Sequence, residues 1–583
     1  MKKLFAASAL VLFAAGAAFA QAPAWIAVSD GYTKRLLAVD MKHTPENGSG
    51  EGLVEYDPLV MQPTFADEDV ERRETEALIA EFKGAIAQQK YKEVAQDLQI
   101  IIDKVELQLK QQDYARAHKV PFYNASNFVF AGLRVLLDEQ TAAPRRAAAV
   151  IRLRKYAGLE PGHRALTDIL KERVTTQMAK PDMVYPAKSQ IDTEMSRNSS
   201  YITGIASLFE KYQLKDWQQP FETLKTQLAE YDAWTKANVL PKARTDFRLT
   251  AEEYALALKN YGIDATPEQL AAQAHQAFTE LQAEMQVLAK KIAAERKLPS
   301  SDYRDVIREL KKEQVVGDAI LPLYQQRLKQ VEKIISDQKL VTLPERPARI
   351  RIATAAETAQ QPAPHMDPPP FMNNTGEKGE FVLPMNIPGA PGTAAMQYDD
   401  FSFDAAAWTL IAHEARPGHE LQFDSMLEHG VSLARVQYAF NSTNVEGWGL
   451  YAEYITLPSM PAEGQLVSLD YRLLRAARMF LDPELQMGKI QPADAFRVLE
   501  QDVVQSKAMA TQEVERYTYR SPGQATSYYY GFAKLIALRK DVEAALGRKF
   551  DAKKFHDFVL AQGLLPPDLM RKAVLEDFVP SQK

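Results

Sequence analysis

Thr266-Pro267-Glu268-Gln269-Leu270-Ala271-Ala272 opens a run that reaches Arg296 with apolar residues recurring every three or four positions. Threonine followed by proline and glutamate marks a helix start. Proline at the first helical position gives up only an N–H that has no partner there. The same period holds upstream over 68–90, 92–111, 124–137, 145–157, 165–178, 192–212, 220–239 and 250–260, and downstream over 301–337. No fixed repeat joins these segments. They predict a mainly α protein, a large multi-helical body.

Between 340 and 398 the composition changes. Pro362-Ala363-Pro364, Pro368-Pro369-Pro370 and Pro388-Gly389-Ala390-Pro391-Gly392 punctuate it, and 348–354 and 380–385 read as extended. This predicts a small β insertion with long loops, and loops of that length are often functional. The strand at 380–385 is expected to be an edge strand that pairs with a substrate backbone. The loop at 362–371 is expected to cover a cleft, with His365 an exposed loop histidine. From Phe401 the helical period resumes. The division is therefore 1–20, 21–340, 341–400 and 401–583.

The first of these segments reads as a targeting signal. Lys2 and Lys3 precede an apolar run over 4–19, and Ala18-Phe19-Ala20 is a small-x-small cleavage site before Gln21. No cysteine follows, so a lipid attachment site is not expected. The expected location is periplasmic or secreted, with no membrane span once the signal is removed. The chain has 583 residues, 46% hydrophobic and 25% charged, which suits a folded globular body and not a disordered one. A net charge of -6 provides no basic field for nucleic acid. The count of zero cysteines excludes disulfides, thiol catalysis, iron–sulfur clusters and cysteine-based zinc sites. Oligomeric state is not written in the sequence.

The residues that carry chemistry begin at His413. His413-Glu414-Ala415-Arg416-Pro417-Gly418-His419 is close to H-E-x-x-H, in which two histidines on one helix face bind zinc. Here the second histidine is six residues on, about 240° around an ideal helix. Pro417-Gly418 would allow a two-residue bulge that returns His419 to the side of His413. The competing reading is a solvent-exposed histidine pair at a helix break. Glu446 and Glu453, in Asn444-Val445-Glu446-Gly447-Trp448-Gly449-Leu450-Tyr451-Ala452-Glu453, are seven apart and share a helix face. Glu446 is the natural third ligand. It would give a His-His-Glu set with a position left for water, the set of catalytic rather than structural zinc. Glu453 could orient a ligand. Gly447 and Gly449 would let this helix approach a neighbour. Ser521-Pro522-Gly523-Gln524 has the capping-box pattern and predicts the start of a long helix carrying Tyr528 and, eleven residues on and on the same face, Arg539. A tyrosine hydroxyl can donate to a developing oxyanion, although aromatic residues at helical spacing more often pack a core.

Together these blocks resemble the bacterial "domain of unknown function 885" family, whose members carry H-E-x-x-P-G-H, E-G-W-x-L-Y-x-E and P-G-Q-A-x-x-Y-x-x-G with a later arginine. The resemblance covers roughly 401–574. It implies a gluzincin-type zinc peptidase, a helical body around a deep cleft broadly similar to oligopeptidases and angiotensin-converting enzyme, with short peptides as substrates. On that resemblance His413, His419 and Glu446 hold Zn(2+) and Glu414 is the general base. Tyr528 is the transition-state donor, helped by Arg539, Arg516 or Gln486. Two positions depart from the pattern. Glu420 follows P-G-H where many members have histidine. Gln486 stands where many have the histidine of D-x-G-x-H, although Arg475 and Asp482 remain. A zinc hydrolase of a non-peptide amide or ester, and a non-catalytic peptide-binding protein, are the competing functions.

Overall fold

The computed structural model describes residues 23–387 and 396–583. The signal-like segment 1–20 and the Pro-Gly loop 388–392 lie outside the described residues. The chain is 71% helix and 3% strand, a mainly α protein. Among the described residues no helix is long and apolar enough to cross a membrane.

Helix Pro267–Arg296 has the expected bounds, and Thr266 and Gln269 close a reciprocal capping box at its start. Its stripe Leu270, Ala274, Leu281, Met285, Ala289 and Ile292 is buried along helix Ala462–Gln486. Full burial of each large side chain contributes about 1.5–3 kcal/mol. That second helix is buried almost all round, from Leu466 to Gln486, so it forms the axis of the C-terminal half. A separate core of Val129, Phe130, Leu153, Tyr201, Phe209 and Leu224 holds the helices between 125 and 238 together.

Three readings are corrected here. Helix Ala24–His43 escaped the period search because Ser29 and Thr33 occupy its buried stripe beside Ile26, Leu36 and Met41. Their hydroxyls are satisfied inside, Ser29 donating to Asp97 at 2.7 Å and Thr33 to the Ser29 carbonyl at 3.0 Å. The expected helix over 301–337 is two, Tyr303–Lys311 and Ile320–Gln338, parted at Gly317, whose φ is +61°. Ser521 does not cap. Gly523 has φ +88° and its N–H is held by Asp482 at 2.8–2.9 Å, so a short 3₁₀ turn leads into helix Ser527–Leu546.

The β insertion holds a three-stranded sheet and a short two-stranded one, Asn386–Ile387 with Met396–Gln397. Strand β1 (Arg349–Ile352) pairs in parallel with β3 (Glu380–Leu383), and β2 (His365–Asp367) pairs antiparallel on the other side, His365 opposite Val382. The strand at 380–385 is thus the buried centre of the sheet, not an edge. Its apolar residues are flanked on both sides, so it has no backbone edge to offer a substrate.

The C-terminal helices that matter for function are pressed together at glycines. Helix Ser442–Thr456 lies on helix Ser527–Leu546, and a Cβ on Gly531 would sit 2.0 Å from the Thr443 carbonyl oxygen and 3.0 Å from Gly447 Cα. Those are backbone atoms and cannot swing aside. Gly531→Ala is therefore expected to destabilise the protein by about 1–3 kcal/mol. Gly84→Ala, in helix Phe65–Ala85 with nothing within 4 Å, should stabilise by about 0.5–1 kcal/mol through helix propensity. Chemical denaturation midpoints of the two variants check this, and equal shifts would contradict it.

Candidate metal centre

Helix Asp404–Leu410 widens into one π turn, Ile411–Ala415, and stops. Arg416 is extended, the Arg416–Pro417 peptide is cis, and a new helix begins at His419. The expected bulge within one helix is instead a break between two. Gly418 makes it feasible: a Cβ there would lie 1.8 Å from the His413 carbonyl oxygen. The outcome is the juxtaposition the sequence called for, with the His413 and His419 rings 4.7 Å apart.

Helix Ser442–Thr456 brings both glutamates to this point. Asn441 starts it by accepting the Asn444 N–H at 2.8 Å. Glu446 Oε2 stands 3.4 Å from His413 Nε2 and 3.3 Å from His419 Nε2. One turn pair later Glu453, fully buried, receives the His413 Nδ1 proton at 2.7 Å. That contact fixes the tautomer which leaves Nε2 free to bind a cation. Glu446 Oε2 itself is buried and finds no well-formed hydrogen bond among the described residues. Tetrahedral zinc with ligands at about 2.0–2.1 Å separates them by about 3.4 Å. Glu446 stands at that spacing from both histidines, and the three residues offer that donor chemistry with ligand atoms within 4.8 Å of one another.

The charges at this point are strongly coupled. Burial would strip the His413 proton, but Glu446 and Glu453 outweigh it and hold that proton up to about 9. Burial would raise the Glu446 carboxyl, but His413 and His419 press it well below the usual carboxylate range.

A cavity of about 270 Å³ opens over the three residues. Glu414 lines it, as do Tyr528, the residues Gln361, Ala363 and Pro364 from the loop before β2, and His365 and Met366 of β2 itself. Of the segment 362–371 expected to cover a cleft, Ala363, Pro364, His365, Met366 and Pro368 line this cavity. His365 is not an exposed loop residue: its side chain is 12% exposed, on β2, facing the cavity. Tyr528 stacks nearly parallel to the His413 ring, 6.3 Å away at 11°. Burial and nearby Glu446 raise its hydroxyl above the ordinary tyrosine value against the pull of Arg516, Arg478 and Arg475, so it stays a donor. A larger cavity of about 480 Å³, lined by Glu68, Arg173, Arg244 and Tyr519, contains none of these residues.

Two expected helpers are elsewhere. Arg539 shares a face with Tyr528, but eleven residues are about 16 Å along a helix. It donates to Tyr451 at 2.9 Å and Glu543 at 2.7 Å and does not line the cavity. Gln486 donates to the Tyr517 carbonyl at 2.7 Å and accepts the Leu249 N–H at 2.9 Å, which makes it a strut. Glu420 also turns away from the cavity, paired with Arg416 at 2.7 Å, and burial raises its carboxyl to about 8 against that arginine. The cavity wall holds Arg475, Arg478 and Arg516 instead. Arg478 carried no motif signal of its own, since only its fold neighbours reveal its position.

The fold and site define a class: helical proteins with a buried His-His-Glu cluster at the base of a cavity. The family model for a bacterial protein of unknown function (DUF885) matches residues 45–574, and the chain belongs to that family. The match extends the resemblance from 401–574 back through the N-terminal helices. Two solved structures share the fold. One is a candidate lipoprotein of unknown function from Shewanella oneidensis, 19% identical over 93% of this chain and 99% of that one, TM-score 0.69. The other is a candidate lipoprotein from Colwellia psychrerythraea, 18% identical over 95% and 100%, TM-score 0.72. No curated protein matches the chain.

A cation entering this cluster must displace the His413 proton. Calorimetry in buffers of different ionisation enthalpy should record about one proton released per zinc at pH 7, with affinity rising toward pH 9. Ala at His413, His419 or Glu446 should abolish uptake. Glu453→Gln should weaken it about 10–100-fold, and Arg539→Gln should leave it unchanged. Loss of uptake in Arg539→Gln would contradict the assignment.

Proposed function

We propose that the protein is an exported zinc-dependent peptidase of short peptides, its helical body belonging with the deep-cleft oligopeptidases and angiotensin-converting enzyme. The observation that carries this is the placement of Glu414 and Tyr528 in one cavity with His413, His419 and Glu446. A structural metal cluster needs neither a base nor a protonated phenol beside it. Export rests on Lys2, Lys3, the apolar run 4–19 and Ala18-Phe19-Ala20, and it agrees with the lipoprotein character ascribed to the two structural relatives.

His413, His419 and Glu446 would hold the zinc, which when bound supplies a Lewis acid and a water of lowered pKa. Glu414, adjacent to His413, takes the proton of the attacking water and returns it to the leaving amine. Tyr528 donates its O–H to the oxygen on which negative charge collects. Glu453 holds His413 in one tautomer throughout. Gln361, Ala363, Pro364, His365 and Met366 line the same cavity and would restrict it to extended chains and short peptides.

Mass spectrometry of a defined mixture of short peptides incubated with zinc-loaded protein tests this reading. Wild type should cut. Glu414→Gln should lower kcat about 10²–10⁴-fold, and Tyr528→Phe about 10²–10³-fold with KM nearly unchanged. Cleavage by Glu414→Gln at the wild-type rate would refute the assignment of the base.

A further inference from the structure

Three guanidinium groups surround the Tyr528 ring. Their Cζ atoms stand 5.9 Å (Arg475), 4.4 Å (Arg478) and 5.8 Å (Arg516) from its centroid, and all three residues line the metal cavity. Their side chains are 5%, 4% and 20% exposed. Two buried cations with a half-buried third this close need anions.

Among the described residues one carboxylate, Glu513, hydrogen-bonds any of them. Glu513 binds Arg478 through two bonds of 2.6 and 2.7 Å and lies 4.0 Å from Arg516. It also accepts the Tyr517 hydroxyl at 2.6 Å. Burial would raise the Glu513 carboxyl, but Arg478 and Arg516 hold it at about 2, so it is one full negative charge shared between two cations. The carboxylate near Arg475 is Glu453, 3.9 Å away and already engaged by His413. Arg475 otherwise donates to the Tyr471 carbonyl at 3.2 Å, and Arg516 to the Tyr528 hydroxyl at 3.4 Å. Among the described residues Arg475 Nε and Arg478 Nη1, both out of water, have no hydrogen-bond partner. Glu446 also acts on Arg516 through its charge, yet donors on one wall are left without partners.

We propose that Arg475, Arg478 and Arg516 form a subsite for the free C-terminal carboxylate of the substrate, so that the cut falls one or two residues from the peptide's C-terminus. Guanidinium groups suit a carboxylate because their planar N–H pairs match its two oxygens. The reach also fits. The carboxylate carbon of the residue after the cut is three bonds, under about 4 Å, from the scissile carbonyl carbon, and one further residue adds about 3.8 Å. Tyr528 adjoins both groups, its ring 6.3 Å from that of His413 and 4.4–5.9 Å from the guanidinium carbons. The inference rests on the peptidase reading and sharpens its substrate class.

The test uses one peptide as free acid and as C-terminal amide. Turnover is measured with the zinc-loaded protein, and binding by calorimetry with Glu414→Gln. Charge-assisted bonds of this kind predict a preference for the acid of about 10–100-fold. In Arg516→Gln and Arg475→Gln the acid/amide ratio should fall toward one, and Arg516→Lys should restore part of it. The ratio is read within each protein, so a variant that is merely less well folded does not move it. Cleavage without an acid preference, at internal bonds, overturns the subsite and leaves the peptidase reading standing. No cleavage, with acid-selective binding lost in Arg516→Gln, upholds the subsite and overturns the peptidase reading. Equal binding of acid and amide without cleavage removes both.

Discussion

The hydrogen bond from His413 Nδ1 to Glu453, 2.7 Å long and out of reach of water, ties the break after helix Asp404–Leu410 to helix Ser442–Thr456. The position of every other group at the site follows from it. Glu453 and Glu446 lie seven residues apart on one face, so the helix that orients His413 from behind also presents a carboxylate in front. The helix can come this close only because position 449 carries no side chain: a Cβ there would meet the His413 ring at 2.6 Å. On its other side it rests against Gly531, which sets Tyr528 in parallel over the same imidazole.

This arrangement is electrostatically demanding. Burying so many ionised groups costs several kcal/mol each unless they are paired. The site divides into pairs that meet that cost and atoms that do not. His413 with Glu453 and Arg478 with Glu513 are paired. Glu446 Oε2 and the spare arginine N–H groups are not, and their residues line the same cavity. A cation beside Glu446 and an anion beside the arginines would complete the balance.

Much of this was legible in the sequence, for physical reasons that differ by element. Helix Pro267–Arg296 was readable to the residue because period, proline and cap agreed. His413, Glu446 and Glu453 were readable because helical geometry alone relates residues seven apart, and because the histidine motif names its own chemistry. Arg539 was misplaced by the same geometry: a shared face says nothing about the distance along the axis. Helix Ala24–His43 was missed because its stripe is built partly of hydroxyl residues satisfied internally. The strand order β1-β3-β2 and the cavity position of His365 depend on long-range pairing, which no local pattern encodes. The arginine wall falls in the same class, since Arg478 and Arg516 come from different helical segments.

X-ray absorption at the zinc edge, on protein loaded with one equivalent of zinc, bears most directly on the central claim that His413, His419 and Glu446 form one metal centre. The account predicts two imidazole nitrogens and one or two oxygens at about 2.0–2.1 Å, with the imidazole signal reduced in His419→Ala. A shell of oxygen ligands alone, or an imidazole signal unchanged in that variant, would contradict it.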